Sequence, residues 1–225
     1  MNATLYQIGI ICLQWLGSFH LLSRRLDHFC KVWQRQRKLH LHLQTQKFDG
    51  VIDGGANVGE FAQTVRGALP KADLICVEPH PACAKVLRKK GFNVIEAALW
   101  KEPARLQLTQ PSSASTSSTV MNGEHESAYG AWEVEAVRLD SLPISGERLL
   151  VKLDLQGAES EALEGMGTLW ERSAGVLLEV SIGNGGTYER LREMLSHRGF
   201  FEYCTTNELE IDGRVVEADK LWLRR

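Results

Sequence analysis

Cysteine is scarce in this chain and poorly placed for chemistry. The five cysteines, Cys12, Cys30, Cys76, Cys83 and Cys204, are odd in number, and no two stand at C-x-x-C spacing. That pattern argues against a disulfide framework and against a zinc site. A reducing compartment is the simpler reading. The phosphate loop G-x-x-x-x-G-K-[ST] is missing, and so is the dinucleotide run G-x-G-x-x-G behind an apolar strand. No internal repeat is present. No compact group of carboxylates marks a metal site, and no metal is expected. A divalent ion between Asp154 and a second acid such as Glu179 is the one arrangement left open.

The rest of the composition is ordinary. Of 225 residues, 44% are apolar and 24% charged, enough to bury a full core without covalent staples. The net charge of −2 hides a division. Residues 1–47 hold seven Lys/Arg and one acid, whereas the remainder holds 19 basic and 27 acidic residues. Two parts with different jobs are expected: a basic helical arm over residues 1–47 and a domain over 48–225. An acidic domain lacks the surplus of Lys/Arg that phosphate contacts use, so no nucleic acid partner is expected.

Apolar residues of the arm recur at steps of three and four between residues 4 and 33, as in Leu5, Ile8, Cys12, Trp15, Phe19 and Leu22. An amphipathic helix follows from that period. Residues 3–22 approach the ~20 residues that span a bilayer, yet they include two Gln, one His and two Gly. The cationic residues follow the apolar stretch, which is the reverse of a secretory signal. Three readings stand: packing on the body or on a second copy as a homo-oligomer, contact of residues 1–33 with a membrane surface, or a span. The domain is expected in the cytoplasm, either free or peripheral to the inner face of the membrane. His40 and His42 alternate with leucines, and no acid or Cys stands nearby to complete a metal shell. Packed or solvated histidines are expected there.

From residue 48 the chain alternates between strand and helix signals. Apolar runs at 51–53, 74–78 and 93–97 enclose helical stretches over 59–69 and 81–90. That is the pattern of βαβαβ and a parallel sheet. Residues 110–119 read as a polar Ser/Thr loop and 134–139 as a strand. Strands at 149–154 and 175–181 flank a helix over 160–170. A helix over 188–197 then precedes a terminal antiparallel hairpin of 200–204 with 220–223.

Chemistry is concentrated at three strand ends. The turn Asp53-Gly54-Gly55-Ala56-Asn57-Val58-Gly59 lets the backbone bend sharply and approach a ligand with no Cβ in the way. Its leading acid would repel a pyrophosphate and suits a ligand carrying an amino group. Glu78 closes the next strand, where a carboxylate can accept from both ribose hydroxyls. Asp154 closes a later strand and faces the same crevice. Lys152 lies two residues before it on the same strand face, and Glu159 opens the following helix at its positive end. Lys152 and Glu159 read equally as an ion-pair partner and a helix-end charge.

In this order, VIDGGANVGEFA, VEPHP, EAALW, VRLDSL, LLVKLDLQGAESEALEGM and VLLEVS, the chain resembles the FkbM-type methyltransferases over residues 48–204. The resemblance implies a class I methyltransferase fold, which is α/β with a doubly wound, mostly parallel, Rossmann-like sheet. It implies transfer of a methyl group from S-adenosyl-L-methionine, usually to a hydroxyl oxygen. It places Asp53, Gly54, Gly55, Asn57, Gly59 and Glu78 around the cofactor, with Ala97 and Ala98 beside the adenine. It places Asp154 near the methyl group. The segment Ile182 to Glu189 departs from the family's Tyr-Glu-Gly-Gln-like run, being shorter and glycine-rich. Asp154 is then the expected base, with Lys152 and Glu159 as neighbours that position or balance it. The acceptor is expected to be a small molecule, glycan or lipid. A Rossmann oxidoreductase using NAD and a non-catalytic cofactor-binding scaffold are the alternatives.

Overall fold

The computed structural model describes residues 38–109, 119–120, 131–183 and 186–225. The readings of residues 1–33 and of most of the polar loop 110–119 lie outside them. His40–Arg225 forms one compact unit. Residues 38–46 are helical (α1) and lead to β1 (Gly50–Gly54), α2 (Glu60–Ala68), β2 (Asp73–Val77), α3 (Pro81–Lys89) and β3 (Asn93–Ile95). Next come β4 (Ala98–Leu99), β5 (Ala104–Thr109), β6 (Thr119–Val120), β7 (Ala131–Val137) and β8 (Leu149–Leu153). The chain closes with α4 (Glu159–Glu164), α5 (Leu169–Arg172), β9 (Ser173–Ser181), α6 (Tyr188–His197), β10 (Phe200–Ile211) and β11 (Arg214–Arg224).

The main sheet has the strand order β10-β11-β9-β8-β1-β2-β3. Strands β9, β8, β1, β2 and β3 run parallel, and the β10–β11 hairpin adds antiparallel strands at one edge. This is the doubly wound sheet with a C-terminal hairpin that the strand and helix signals imply. Strands β1 and β8 are buried along their whole length, because neighbours and helices cover them on every side. That is why they read as near-continuous apolar runs. From β1 the chain goes one way to β2 and β3 and later returns on the other side as β8 and β9. The order therefore reverses between β1 and β8, and a crevice opens beyond their carboxyl ends.

Local chemistry sets the helix boundaries. The His80 ring nitrogen Nδ1 accepts from Ala82 N–H at 3.2 Å, and Pro81 takes the first helical position of α3. The helix buries Cys83, Ala84 and Leu87. Gly91, at φ +77°, follows its last turn.

Three parts of the chain differ from the pattern read in the sequence. The helix expected over 160–170 is two short helices, α4 and α5, separated at Gly165-Met166-Gly167. Side chains at Gly165 and Gly167 would collide with the Trp100 carbonyl and the Asp140 carboxylate, so those glycines let the strand and loop close in. The irregular middle builds a second sheet, β4-β7-β5-β6, within which β7 matches the strand expected at 134–139. The terminal hairpin is longer than expected, and Asp212-Gly213 turns its tip with φ of +51° and +73°. In α1, Leu43 is buried, and the His42 ring meets Tyr203 edge-on at 5.6 Å.

The hairpin is anchored through Trp222, which is 1% exposed and lies opposite Val176 of β9. Trp222→Ala is expected to cost about 3–5 kcal/mol. Urea unfolding measures this, and a loss below about 1 kcal/mol would show that the hairpin contributes little to the core.

Candidate functional site

The glycine turn leaves β1 and enters α2. Gly55 N–H and Ala56 N–H both donate to the Val77 carbonyl, at 3.0 and 3.2 Å, which ties the turn to the end of β2. Gly55 has φ +70°, and a Cβ there would collide with the Asp154 carbonyl oxygen. No other residue fits where the ends of β1 and β8 approach so closely. Gly54 packs against Leu99 and Leu153, and Gly59, at φ +88°, starts α2 against Leu87 and Phe92.

Under the turn lies Lys152. Register pairs it with Asp53 across β1 and β8, and its ammonium sits 3.0 Å from Asp53 Oδ1. The contact is an ion pair whose angles fall short of a hydrogen bond. The same ammonium donates to the Gly54 and Gly55 carbonyls at 3.2 and 3.0 Å, and it lies 3.7 Å from Asp154 Oδ2. Burial opposes its charge, but Asp53 and Asp154 raise its pKa, so it stays protonated. Asp53 is wholly buried, and that burial pushes its carboxyl upward against the pull of Lys152.

Beyond the strand ends is a cavity of about 250 Å³. Val77, Ala97, Ala98, Leu99 and Leu108 form its apolar walls, the last three belonging to the second sheet. Its polar groups are Asn57, Glu78, Asp154, Gln156 and Glu179, with Gly55 backbone between them. Of the residues expected at the site, Gly55, Asn57, Glu78, Ala97, Ala98 and Asp154 line this cavity together. Asp53, Gly54, Gly59, Lys152 and Glu159 stand behind it.

Glu78 accepts one backbone hydrogen bond on each carboxylate oxygen, from Asn57 N–H at 2.7 Å and from His80 N–H at 2.8 Å. Burial raises its pKa and these donors lower it, with the first effect the larger. Each oxygen keeps a lone pair for a further donor. Glu159 is also buried, and its Oε1 accepts from Leu155 N–H at 2.8 Å and Gly157 N–H at 3.2 Å. It therefore clamps the turn that follows Asp154. Gln156, in that turn, donates through Nε2 to Asp154 Oδ1 at 3.0 Å and to Glu179 Oε2 at 2.9 Å. Gln156 is a lining residue that the sequence reading passed over, and its only signal was its place between Asp154 and Gly157. Glu179 was noted there only as a potential metal ligand. Its pKa is pushed up to about 9 by burial and by the negative field of Asp154, Glu217 and Asp219. Among the described residues no group of three or more His, Cys, Asp or Glu could hold a metal ion. The glycine-rich segment after β9 is pinched at its base, where Ser181 N–H donates to Thr187 Oγ1 and Thr187 N–H to Ser181 Oγ, both at 3.1 Å.

The cavity therefore joins the paired acceptor Glu78, apolar walls and the Asp154 carboxylate. The family model described as "Methyltransferase FkbM domain" matches residues 53–202, more than half of the chain. The chain belongs to the FkbM methyltransferase family. Its cofactor is S-adenosylmethionine, and the NAD oxidoreductase alternative falls. Methyltransferase sdnD of Sordaria araneosa is 27% identical over 189 residues, covering 67% of this chain and 73% of its own length. The crystal structure of Methyltransferase FkbM from Methylobacillus flagellatus KT shares the fold at 14% identity and a TM-score of 0.51. That likeness covers 78% of this FkbM methyltransferase and 43% of the bacterial chain, so less than half of that longer protein has a counterpart here.

The exclusion of nucleic acid is corrected. The solved structures similar to this chain include an rRNA methylase from Streptococcus thermophilus, at 11% identity and a TM-score of 0.46, covering 83% of this chain and 94% of that one. The exclusion rested on the net charge of the whole domain. Net charge averages over the surface and leaves the sign of any one groove undetermined. Among the described residues no helix is long and apolar enough to cross a membrane.

Lys152→Met should destabilise the FkbM domain by about 3–5 kcal/mol, because it leaves Asp53 buried and unpaired. The double variant Asp53→Asn/Lys152→Met should recover part of that loss in urea unfolding. Equal losses in the two variants would show that the ion pair is not the anchor.

Proposed function

We propose that this FkbM methyltransferase transfers the methyl group of S-adenosylmethionine to a hydroxyl oxygen of a sugar, lipid or secondary metabolite, with Asp154 as the base. The catalytic domain in this reading spans residues 48–225, and the last residues of the arm, 40–47, belong to the same compact unit. The observation that carries the proposal is that one cavity holds both Glu78, past the end of β2, and the partly exposed Asp154 carboxylate, past the end of β8, on opposite sides of β1.

Glu78, Asn57 and the Gly55 backbone would hold the ribose end of the cofactor, and Ala97 and Ala98 would flank its base. When bound, S-adenosylmethionine supplies an electrophilic methyl group on a sulfonium. Asp154 accepts the proton that the acceptor hydroxyl loses as its oxygen becomes the nucleophile. Lys152, 3.7 Å from Asp154 Oδ2, ties that strand end to the glycine turn through the Gly54 and Gly55 carbonyls. Glu159 acts only by shaping the loop. The apolar walls keep water from the acceptor. Glu179, with its pKa pushed up to about 9, is a neutral acid at pH 7 and does not oppose negative charge developing on the acceptor oxygen. Ionised, it would.

Glu78→Ala should weaken S-adenosylmethionine binding about 10–100-fold in calorimetry, the worth of its charge-assisted hydrogen bonds. Unchanged affinity would move the ribose elsewhere. Asp154→Asn should lower kcat about 100- to 10,000-fold while cofactor affinity stays within about threefold. A radiolabelled transfer screen over sugars, lipids and phenols supplies the acceptor for that assay. In the native protein kcat should fall as pH rises through about 9, where Glu179 ionises.

A further inference from the structure

Gln156 is exposed at the cavity mouth, yet its backbone is held at φ +55°, in the left-handed region that residues other than glycine rarely adopt. The next residue, Gly157, has φ +103° and takes such a conformation without cost. Two observations explain why the chain keeps a glutamine in that place. The first is the buried Glu159 carboxylate, which accepts from the N–H groups on either side of Gln156, those of Leu155 and Gly157, and so locks the turn. The second is where the locked turn aims the side chain. Both contacts of the Gln156 amide nitrogen go to carboxyl groups of the cavity, Asp154 Oδ1 at 3.0 Å and Glu179 Oε2 at 2.9 Å. One group ends β8 and the other belongs to the neighbouring strand β9, so the amide spans two strands. A nitrogen with two hydrogens can satisfy both at once, whereas a carboxylate there would add a third acid to the pair.

We propose that Gln156 is a positioning residue, whose amide sets the spacing and orientation of Asp154 and Glu179 so that one oxygen of Asp154 is directed to the acceptor hydroxyl. The inference rests on the reading of Asp154 as the base. Asp154 has Lys152 beside one oxygen and Gln156 on the other. Its rotation about the last side-chain bond is therefore restrained from both sides. Backbone strain at a functional side chain is a recognised way of holding it in a fixed direction. Around Glu179 the charged groups are Asp154 from β8 and Glu217 and Asp219 from β11, and Gln156 supplies a neutral donor into that acidic field.

The test uses Gln156→Gly and Gln156→Glu in the full chain, with Asp154→Asn beside them. Gln156→Gly relieves the left-handed strain, so its thermal unfolding midpoint should equal or exceed that of the native protein. Its kcat should nevertheless fall about 10–100-fold, the worth of hydrogen bonds to a charged group, with S-adenosylmethionine affinity within about threefold. Gln156→Glu should lose at least as much turnover. Both variants should move the alkaline fall in kcat to higher pH, since a lost donor or an added carboxylate disfavours ionised Glu179. A residue with only a structural role would lower stability and leave the pH profile in place. Normal kcat in both Gln156 variants, with Asp154→Asn inactive, would overturn the positioning role alone. An active Asp154→Asn would overturn the base, and the inference with it.

Discussion

Beneath the glycine turn, one ammonium group does the work of several caps. At the turn after β1 the Gly54 carbonyl accepts from Asp154 N–H at 3.2 Å, and Lys152 donates to it and to the Gly55 carbonyl. Its charge is offset by Asp53 at 3.0 Å on the neighbouring strand. A buried ion pair of this kind adds little net stability, because desolvating each ion costs several kcal/mol. What it contributes is position. The aligned register of β1 and β8 puts Asp53 and Lys152 opposite each other, and a slip of either strand by one residue would send its charge to the other face, away from its partner. The strand ends are thereby held close enough that Gly55 must lack a side chain.

The rest of the site follows from how each further charge is managed. Glu78 draws on backbone N–H groups of the turn and of the start of α3, so the same turn that lines the cavity also orients this acid. Glu159 draws on the turn behind Asp154. Glu179 lies among the acids Asp154, Glu217 and Asp219, and with its burial their field makes it keep its proton. Five carboxyl groups thus share one small region, their repulsion offset by an ion pair, two sets of backbone donors, a side-chain amide and a retained proton. The division is spatial as well. Groups that fix the backbone lie behind the cavity, and groups with a free lone pair face into it.

Much of the sheet was legible in the sequence because strands buried on both faces show as apolar runs, Val51-Ile52, Leu74 to Val77 and Leu149 to Val151 among them. The positions of Gly55, Asn57, Glu78, Ala97, Ala98 and Asp154 at one crevice followed from strand ends and the family resemblance. The separate role of Lys152 did not, because it depends on a register between residues almost one hundred positions apart. Asp53 read as facing a ligand amine since it precedes the glycines, but a strand residue points to one face only, and here that face is the core. Gln156 was silent because a left-handed glutamine leaves no mark in composition or period. The second sheet was obscured by short, half-exposed strands such as β5, and the break between α4 and α5 by a helical period that continues across two glycines.

The cavity has a further consequence through its sources in the chain. Its lining runs from Gly55 to Glu179 and draws on β2, the link between β3 and β4, β5, the end of β8 and β9. No short fragment carries more than a corner of it. The pocket comes into being only when the central sheet has closed and the small sheet has settled over it. A ligand that recognises the pocket thus binds the finished fold alone and shifts the unfolding equilibrium in proportion to its concentration. For this FkbM methyltransferase, the supply of whatever fills the pocket is thereby coupled to the fraction of chains that stay folded.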